Sequence, residues 1–145
     1  MRCLFASTAV VVLVALSGCA QGGTATTSSA SKYSGDSKLV ANTVEDFQSN
    51  ATAHDGAKIC SGQITAALAK TITAKNSGAS CATAVTAAMK ATDEADLTVT
   101  KVTIDPKNSN KATATVSAKT GDKSSQTYTF TLERLDKRWQ ISSFG

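Results

Sequence analysis

From Val40 onward the apolar positions follow two successive periods. In the first, Val40, Val44, Phe47 and Ala51 are spaced by four, three and four residues, which places them on one face of a helix. That helix is expected from near Ser37, with Asp36 or Ser37 capping its N-terminus and Asp55-Gly56 ending it. A second helical stretch is read from Ala57 to Ala74, with Ile59, Cys60, Ile64, Leu68 and Ile72 apolar and Gly62 breaking or kinking it. Asn76-Ser77-Gly78 makes a turn. Ser80 then caps a third helix, on which Cys81, Val85, Ala88 and Met89 share a face.

Past Asp93-Glu94 the period drops to two. Leu97 to Asp105 is rich in Thr, Val and Ile, and its apolar parity shifts from Leu97 and Val99 to Val102 and Ile104, which predicts a bulge near Thr100-Lys101. Pro106 opens a turn through Asn110. Ala112, Ala114, Val116 and Ala118 then alternate with Thr and Ser, as do Tyr128, Phe130 and Leu132 after the turn Thr120-Gly121-Asp122-Lys123. Asp136-Lys137 makes the last tight turn, before a strand opened by Trp139 and Ile141. Four strands joined by short polar turns make an antiparallel meander. Its apolar face receives the three helices and its Thr, Lys and Glu face meets water, so the class is α+β.

Ahead of these elements lies a third pattern. Arg2 is followed by an almost unbroken apolar run from Leu4 to Leu16, too short for the roughly 20 residues that span a bilayer. A charged start, a short apolar core and then small residues describe a cleaved signal peptide. The tetrapeptide Leu16-Ser17-Gly18-Cys19 resembles the lipobox of bacterial lipoprotein precursors. The resemblance implies cleavage before Cys19, which leaves residues 1–18 as signal peptide, and a diacylglyceryl group on the Cys19 thiol. The domain is then expected outside the cytoplasm, anchored to the bacterial cell membrane by that lipid. Two buried acyl chains suffice for such an anchor, at about 0.8 kcal/mol per methylene. Ala20 to Asp36 carries no large apolar side chain except Tyr33, so residues 19–36 are read as the lipidated cysteine and a flexible Ser/Thr/Gly tether, and residues 37–145 as the folded domain.

Charge and cysteine content narrow the function classes. The formal charge is +4 and becomes +3 without Arg2, since 15 − 1 = 14 bases stand against 11 acids. The lysines are scattered and aromatic residues make up 5% of the chain, a composition that argues against nucleic acid as partner. Of the four cysteines, Cys3 leaves with the signal peptide and Cys19 takes the lipid. Cys60 and Cys81 remain, an even pair in an exported domain, for which a disulfide is expected. Both lie on the apolar stripes of their helices, so the bridge would staple the second helix to the third. A metal or redox site is the competing reading; there is no C-x-x-C motif and His54 is the only histidine. No cofactor or metal is expected.

Three helices and a bent four-stranded meander resemble the nuclear transport factor 2-like superfamily, with its cone-shaped cystatin-like fold. The carrying residues are Val44-Glu45-Asp46-Phe47, Gly56-Ala57-Lys58-Ile59-Cys60, Cys81, and the ending from Leu132 to Ile141 with its charged turn and Trp139. The resemblance is closest to small exported actinobacterial lipoproteins and implies a sheet curled around the helices, enclosing a cavity in some members. Catalytic members, including the SnoaL-like isomerases, place Asp, His or Tyr inside the cone. Here the inward positions are Ala112, Ala114, Val116, Ala118, Tyr128, Phe130, Leu132, Trp139 and Ile141, with Tyr128 the one polar-tipped candidate.

His54 beside Asp55 invites a base-and-orienter reading, but adjacent residues on a helix diverge, and a histidine at a helix C-terminus is the simpler role. Asp93, Glu94 and Asp96 lack calcium-loop spacing. Phe47, Tyr128, Phe130 and Trp139 are the candidate ligand pocket. The expected function is a membrane-anchored binding domain for an unidentified protein or a small apolar or envelope ligand, with no catalysis evident. The alternatives are a small SnoaL-like isomerase or hydrolase using Tyr128 with Asp46 or His54, and a structural or accessory envelope protein.

Overall fold

The computed structural model describes residues 28–92, 95–121 and 123–145. The residues read as signal peptide, Cys19, the expected tether as far as residue 27 and Asp93-Glu94 lie outside these. Among the described residues the class is α+β: four helices and a four-stranded antiparallel sheet in the order β1-β2-β3-β4. The strands are β1 (Asp96–Asp105), β2 (Asn108–Lys119), β3 (Gln126–Leu135) and β4 (Arg138–Phe144). Val99 pairs with Val116 and Lys101 with Thr115, so Thr100 is the extra residue of the expected bulge. A second bulge was not expected. Thr131 pairs with Ser143 but Leu132 with Ile141, which leaves Ser142 unopposed and turns Phe144 onto the same face as Ile141.

The helices are α1 (Gly35–Thr52), α2 (Gly56–Lys58), α3 (Ala66–Lys75) and α4 (Cys81–Ala91), one more than the three expected. The stretch read as one helix over 57–74 divides. α2 runs into a wide π turn, Ile59–Gln63, and the chain then extends at Ile64, which bridges in parallel to Ile141 of β4. Thr65 restarts the helix, its hydroxyl accepting the Leu68 N–H at 3.2 Å. The break therefore falls at Ile64-Thr65 and not at Gly62, whose carbonyl accepts from Gln140 Nε2 at 3.1 Å. Gly56 opens α2 because α4 passes over it: a Cβ there would collide with the Ala82 carbonyl oxygen and Thr86 Oγ1. The Cys60–Cys81 disulfide is formed, tying the π turn to the first residue of α4.

α1 starts at Gly35, capped at the backbone by Ser34 with no side-chain bond, so neither Asp36 nor Ser37 is the cap. Asp36 instead receives Arg134 Nη1 on both carboxylate oxygens, at 3.0 and 2.9 Å. The same guanidinium reaches Asn110 Oδ1 and the Ser109 carbonyl, fixing the start of α1 to the start of β2. α1 ends in a Schellman turn, with the Asp55 N–H bonded to the Asn50 carbonyl at 2.8 Å and the His54 N–H to that of Ala51 at 2.9 Å. His54 takes the left-handed position, φ +53°, that glycine usually fills.

The core lies between α1, the π turn and the inner sheet face. Val40, Val44, Ile59, Ile64, Val99, Val116, Leu132 and Ile141 are all at most 2% exposed. The expected tether does not extend to residue 36. Ser29–Lys32 form a 3-10 turn and Ala30 is 1% exposed within the core. The Glu45 carboxylate on α1 holds this segment, accepting from Ser28 Oγ (2.8 Å), Ser29 Oγ (2.9 Å) and the Ala30 N–H (2.8 Å). Ser29 Oγ in turn accepts the Val99 N–H at 3.2 Å, and the Tyr33 hydroxyl donates to the Val99 carbonyl. The segment thus occupies part of the β1 edge, as Ile64-Thr65 occupies part of the β4 edge, and so blunts strand addition.

Candidate ligand cleft

Inner-face residues at one end of the sheet are only partly covered by the helices, where Phe47 of α1 reaches over Phe130 and Phe144. Val116 pairs with Tyr128, Leu97 with Ala118 and Phe130 with Phe144, so these positions share a face with the core. Yet Tyr128 is 40% exposed and Phe144 45% exposed. Between them and the ends of α1 and α4 lies an open cleft of about 740 Å³. That volume falls within the roughly 300–1,000 Å³ range of small-molecule sites.

Three phenylalanines form the inner wall. Phe47 of α1 meets Phe130 edge-on at 6.1 Å between centroids and Phe144 at 5.5 Å, and Phe130 meets Phe144 edge-on at 4.9 Å. Phe144 is held from behind, because Gly145 exchanges two backbone bonds with Thr129, at 2.7 and 2.8 Å. Leu97, Ala118 and Tyr128 continue the apolar surface. Thr92, Thr120, Lys123, Ser124 and Gln126 give the cleft a polar side. The Tyr128 hydroxyl is turned to that side and donates to Gln126 Oε1. No carboxylate, imidazole or thiol is among the described lining residues.

Phe47, Tyr128 and Phe130 are therefore brought together as expected, and Trp139 is not. Trp139 is 4% exposed and packs beneath the Arg134 guanidinium, whose Cζ is 5.3 Å from the ring centroid. It pairs with Arg134, six residues along β3 from Tyr128, or about 20 Å at strand rise. Tyr128 also departs from the expectation of a filled inward position, since the helical layer stops short of it. Phe144 was not anticipated as a cleft residue; the signal available was an aromatic three residues past Ile141, off parity by one.

The other candidates serve local structure. Asp55 Oδ1 accepts the Lys58 N–H at 3.0 Å and Oδ2 faces Lys58 Nζ at 3.2 Å; the backbone bond foremost holds its carboxyl below the ordinary range. Its neighbour His54 contributes its carbonyl to Thr86 Oγ1, so the two residues end one helix and start the next without forming a dyad. Asp46 is exposed on α1 and lines a shallow depression with Trp139, away from the cleft. Asp96 is exposed opposite Lys119. Among the described residues no group of three His, Cys, Asp or Glu side chains is placed to hold a metal, and no helix is long and apolar enough to cross a membrane. No protein-family model matches the chain, and no curated protein or solved structure matches it either.

Proposed function

We propose that the chain is a lipid-anchored extracytoplasmic protein whose domain binds a small apolar ligand in the cleft between α1 and the far end of the sheet. The observation that carries the proposal is the exposed pair Tyr128 and Phe144, backed by Phe47 and the buried Phe130, around a cleft of about 740 Å³. A concave site of this size favours a small ligand over a flat protein contact. The nuclear transport factor 2-like resemblance accords with it, since a sheet bent around helices opens at one end. The anchor rests on the apolar run and Leu16-Ser17-Gly18-Cys19. The SnoaL-like alternative draws no support from the cleft, where the Tyr128 hydroxyl is engaged by Gln126.

Two measurements test the proposal. Mass spectrometry of the mature protein is expected to find a diacylglyceryl-modified Cys19 at the N-terminus, and cleavage elsewhere refutes the anchor. Titration of the unlipidated Cys19→Ser protein with anilinonaphthalene sulfonate is expected to give one saturable site, weakened at least tenfold by Phe144→Ser. Leu135→Ser serves as control, because Leu135 is equally exposed, 45%, at the other end of β3. Equal loss in both variants, or in neither, sinks the cleft as a binding site.

A further inference from the structure

We infer that the cleft takes the acyl chain of a single-chain lipid from the membrane surface beside the anchor. The inference rests on the anchored-binding reading above and adds the ligand's class and source. Its basis is where the anchor-side chain joins the domain. Val99, whose N–H bonds Ser29 Oγ, lies two residues after Leu97 on the same face of β1, while Glu45, which holds Ser28, Ser29 and Ala30, is within a turn of Phe47 along α1 but on a different face of the helix. Phe47 and Leu97 both line the cleft. The chain from Cys19 therefore meets the domain beside the cleft. Only 28 − 19 = 9 residue steps separate Cys19 from Ser28, a span of at most about 32 Å. Had the tether run to residue 36, the 17 steps would allow about 60 Å. The short span keeps the cleft within reach of the lipid headgroups.

The chemistry of the cleft selects among membrane components. One wall is apolar (Phe47, Leu97, Phe130, Phe144) and the other offers hydroxyls and an amide from Thr92, Thr120, Ser124 and Gln126, which suits an amphiphile. Tyr128 spans the two, an apolar ring with its hydroxyl on the polar side, as aromatics do at membrane interfaces. The cleft is open, so it buries one chain incompletely. A bilayer releases single-chain lipids readily and holds two-chain lipids far more tightly. The chain's own diacyl anchor and two-chain phospholipids therefore stay in the membrane, and a lysolipid or fatty acid is the species the cleft can win.

The test uses the mature lipidated chain in phosphatidylcholine vesicles that carry a lysophosphatidylcholine with a diazirine on its acyl chain. After irradiation, label is expected on Leu97, Tyr128 and Phe144, reduced at least fivefold by Phe144→Ser and unchanged by Leu135→Ser. A two-chain phosphatidylcholine with the same diazirine is expected to label the cleft at less than a tenth of that level. Label confined to residues 19–27 or to the Leu135 end of β3, or equal labelling by both lipids, overturns the inference. The Cys19→Ser protein with the same lysolipid in micelles separates the two proposals. Cleft label from micelles but not from vesicles leaves ligand binding standing and removes the membrane source. No cleft label in either, with the saturable anilinonaphthalene sulfonate site intact, removes the lipid and leaves ligand binding standing; loss of that site as well removes both.

Discussion

Removing the Glu45 carboxylate is expected to detach residues 28–30 from α1. Glu45 Oε1 accepts from Ser29 Oγ and the Ala30 N–H, and Oε2 accepts from Ser28 Oγ. Ser28 is exposed, so its bond contributes little. Ser29 and Ala30 are 6% and 1% exposed, and each donor left unpaired there costs about 1–3 kcal/mol. Glu45→Ala should therefore destabilise the segment by about 3 kcal/mol, a roughly 100-fold change in its opening. Glu45→Gln keeps the oxygen that serves Ser29 and Ala30 and should cost only about 1 kcal/mol. Burial raises the Glu45 pKa, but the bonds from Ala30, Ser28 and Ser29 outweigh it and hold the carboxyl below the ordinary range. A depressed folded pKa means stability present above the unfolded carboxyl pKa and lost as pH falls through the folded one. The wild-type segment should loosen below the ordinary carboxylate range, and Glu45→Gln should lack that contribution. Hydrogen exchange of the Ala30 and Val99 amides reads the opening directly, since Val99 N–H is bonded to Ser29 Oγ. Equal exchange in Ala and Gln variants, or wild-type rates in Glu45→Ala, would falsify the clasp.

Two stability predictions follow from the helical layer. Cys60→Ser with Cys81→Ser opens a loop with a sequence separation of 21 and should cost about 3 kcal/mol, lowering Tm by on the order of 10 °C or more. Thermal melts in which the double variant matches the wild type would remove the staple from the stability account. His54→Gly, which relieves a non-glycine residue at φ +53°, should gain about 1 kcal/mol in urea unfolding; a loss would mean that the imidazole contributes more than the turn costs.

How much was legible in the sequence depended on whether a residue's partner was close in the chain. Val40, Val44, Phe47 and Ala51 announced α1, because the helical period needs only neighbours three and four residues away. Cys60 and Cys81 could be paired because the expected export and the helix faces both point to a bridge. The division of the second helix could not be read, since Ile64 is extended by its bridge to Ile141, 77 positions on (141 − 64). Segment 28–33 was misread for the same reason. Its composition is that of a tether, and it is ordered by Glu45 and by Val99, up to 70 residues away. Composition measures what a segment can bury by itself, and this one borrows its partners from α1 and β1.

The two bulges show why the pocket was half found. At Thr100 the apolar parity changes with two residues on each side, Leu97 and Val99 before, Val102 and Ile104 after, and the shift announces itself. At Ser142 only Phe144 follows, and one apolar residue off parity reads as an exposed one. Without that bulge Ser143 would take the inner position and the third aromatic wall of the cleft would be absent. The helix end supplies the other half of the answer. α1 stops at Thr52, at the His54 turn, and beyond the reach of Phe47 the sheet is uncovered, so Tyr128 and Phe144 stay 40% and 45% exposed. His54 and Asp55, which invite reading as a catalytic pair, thus bear on the candidate cleft by ending α1 and starting α2. The candidate site follows from where two regular elements depart from their own periods, and its chemistry is that of the apolar surface those departures leave exposed.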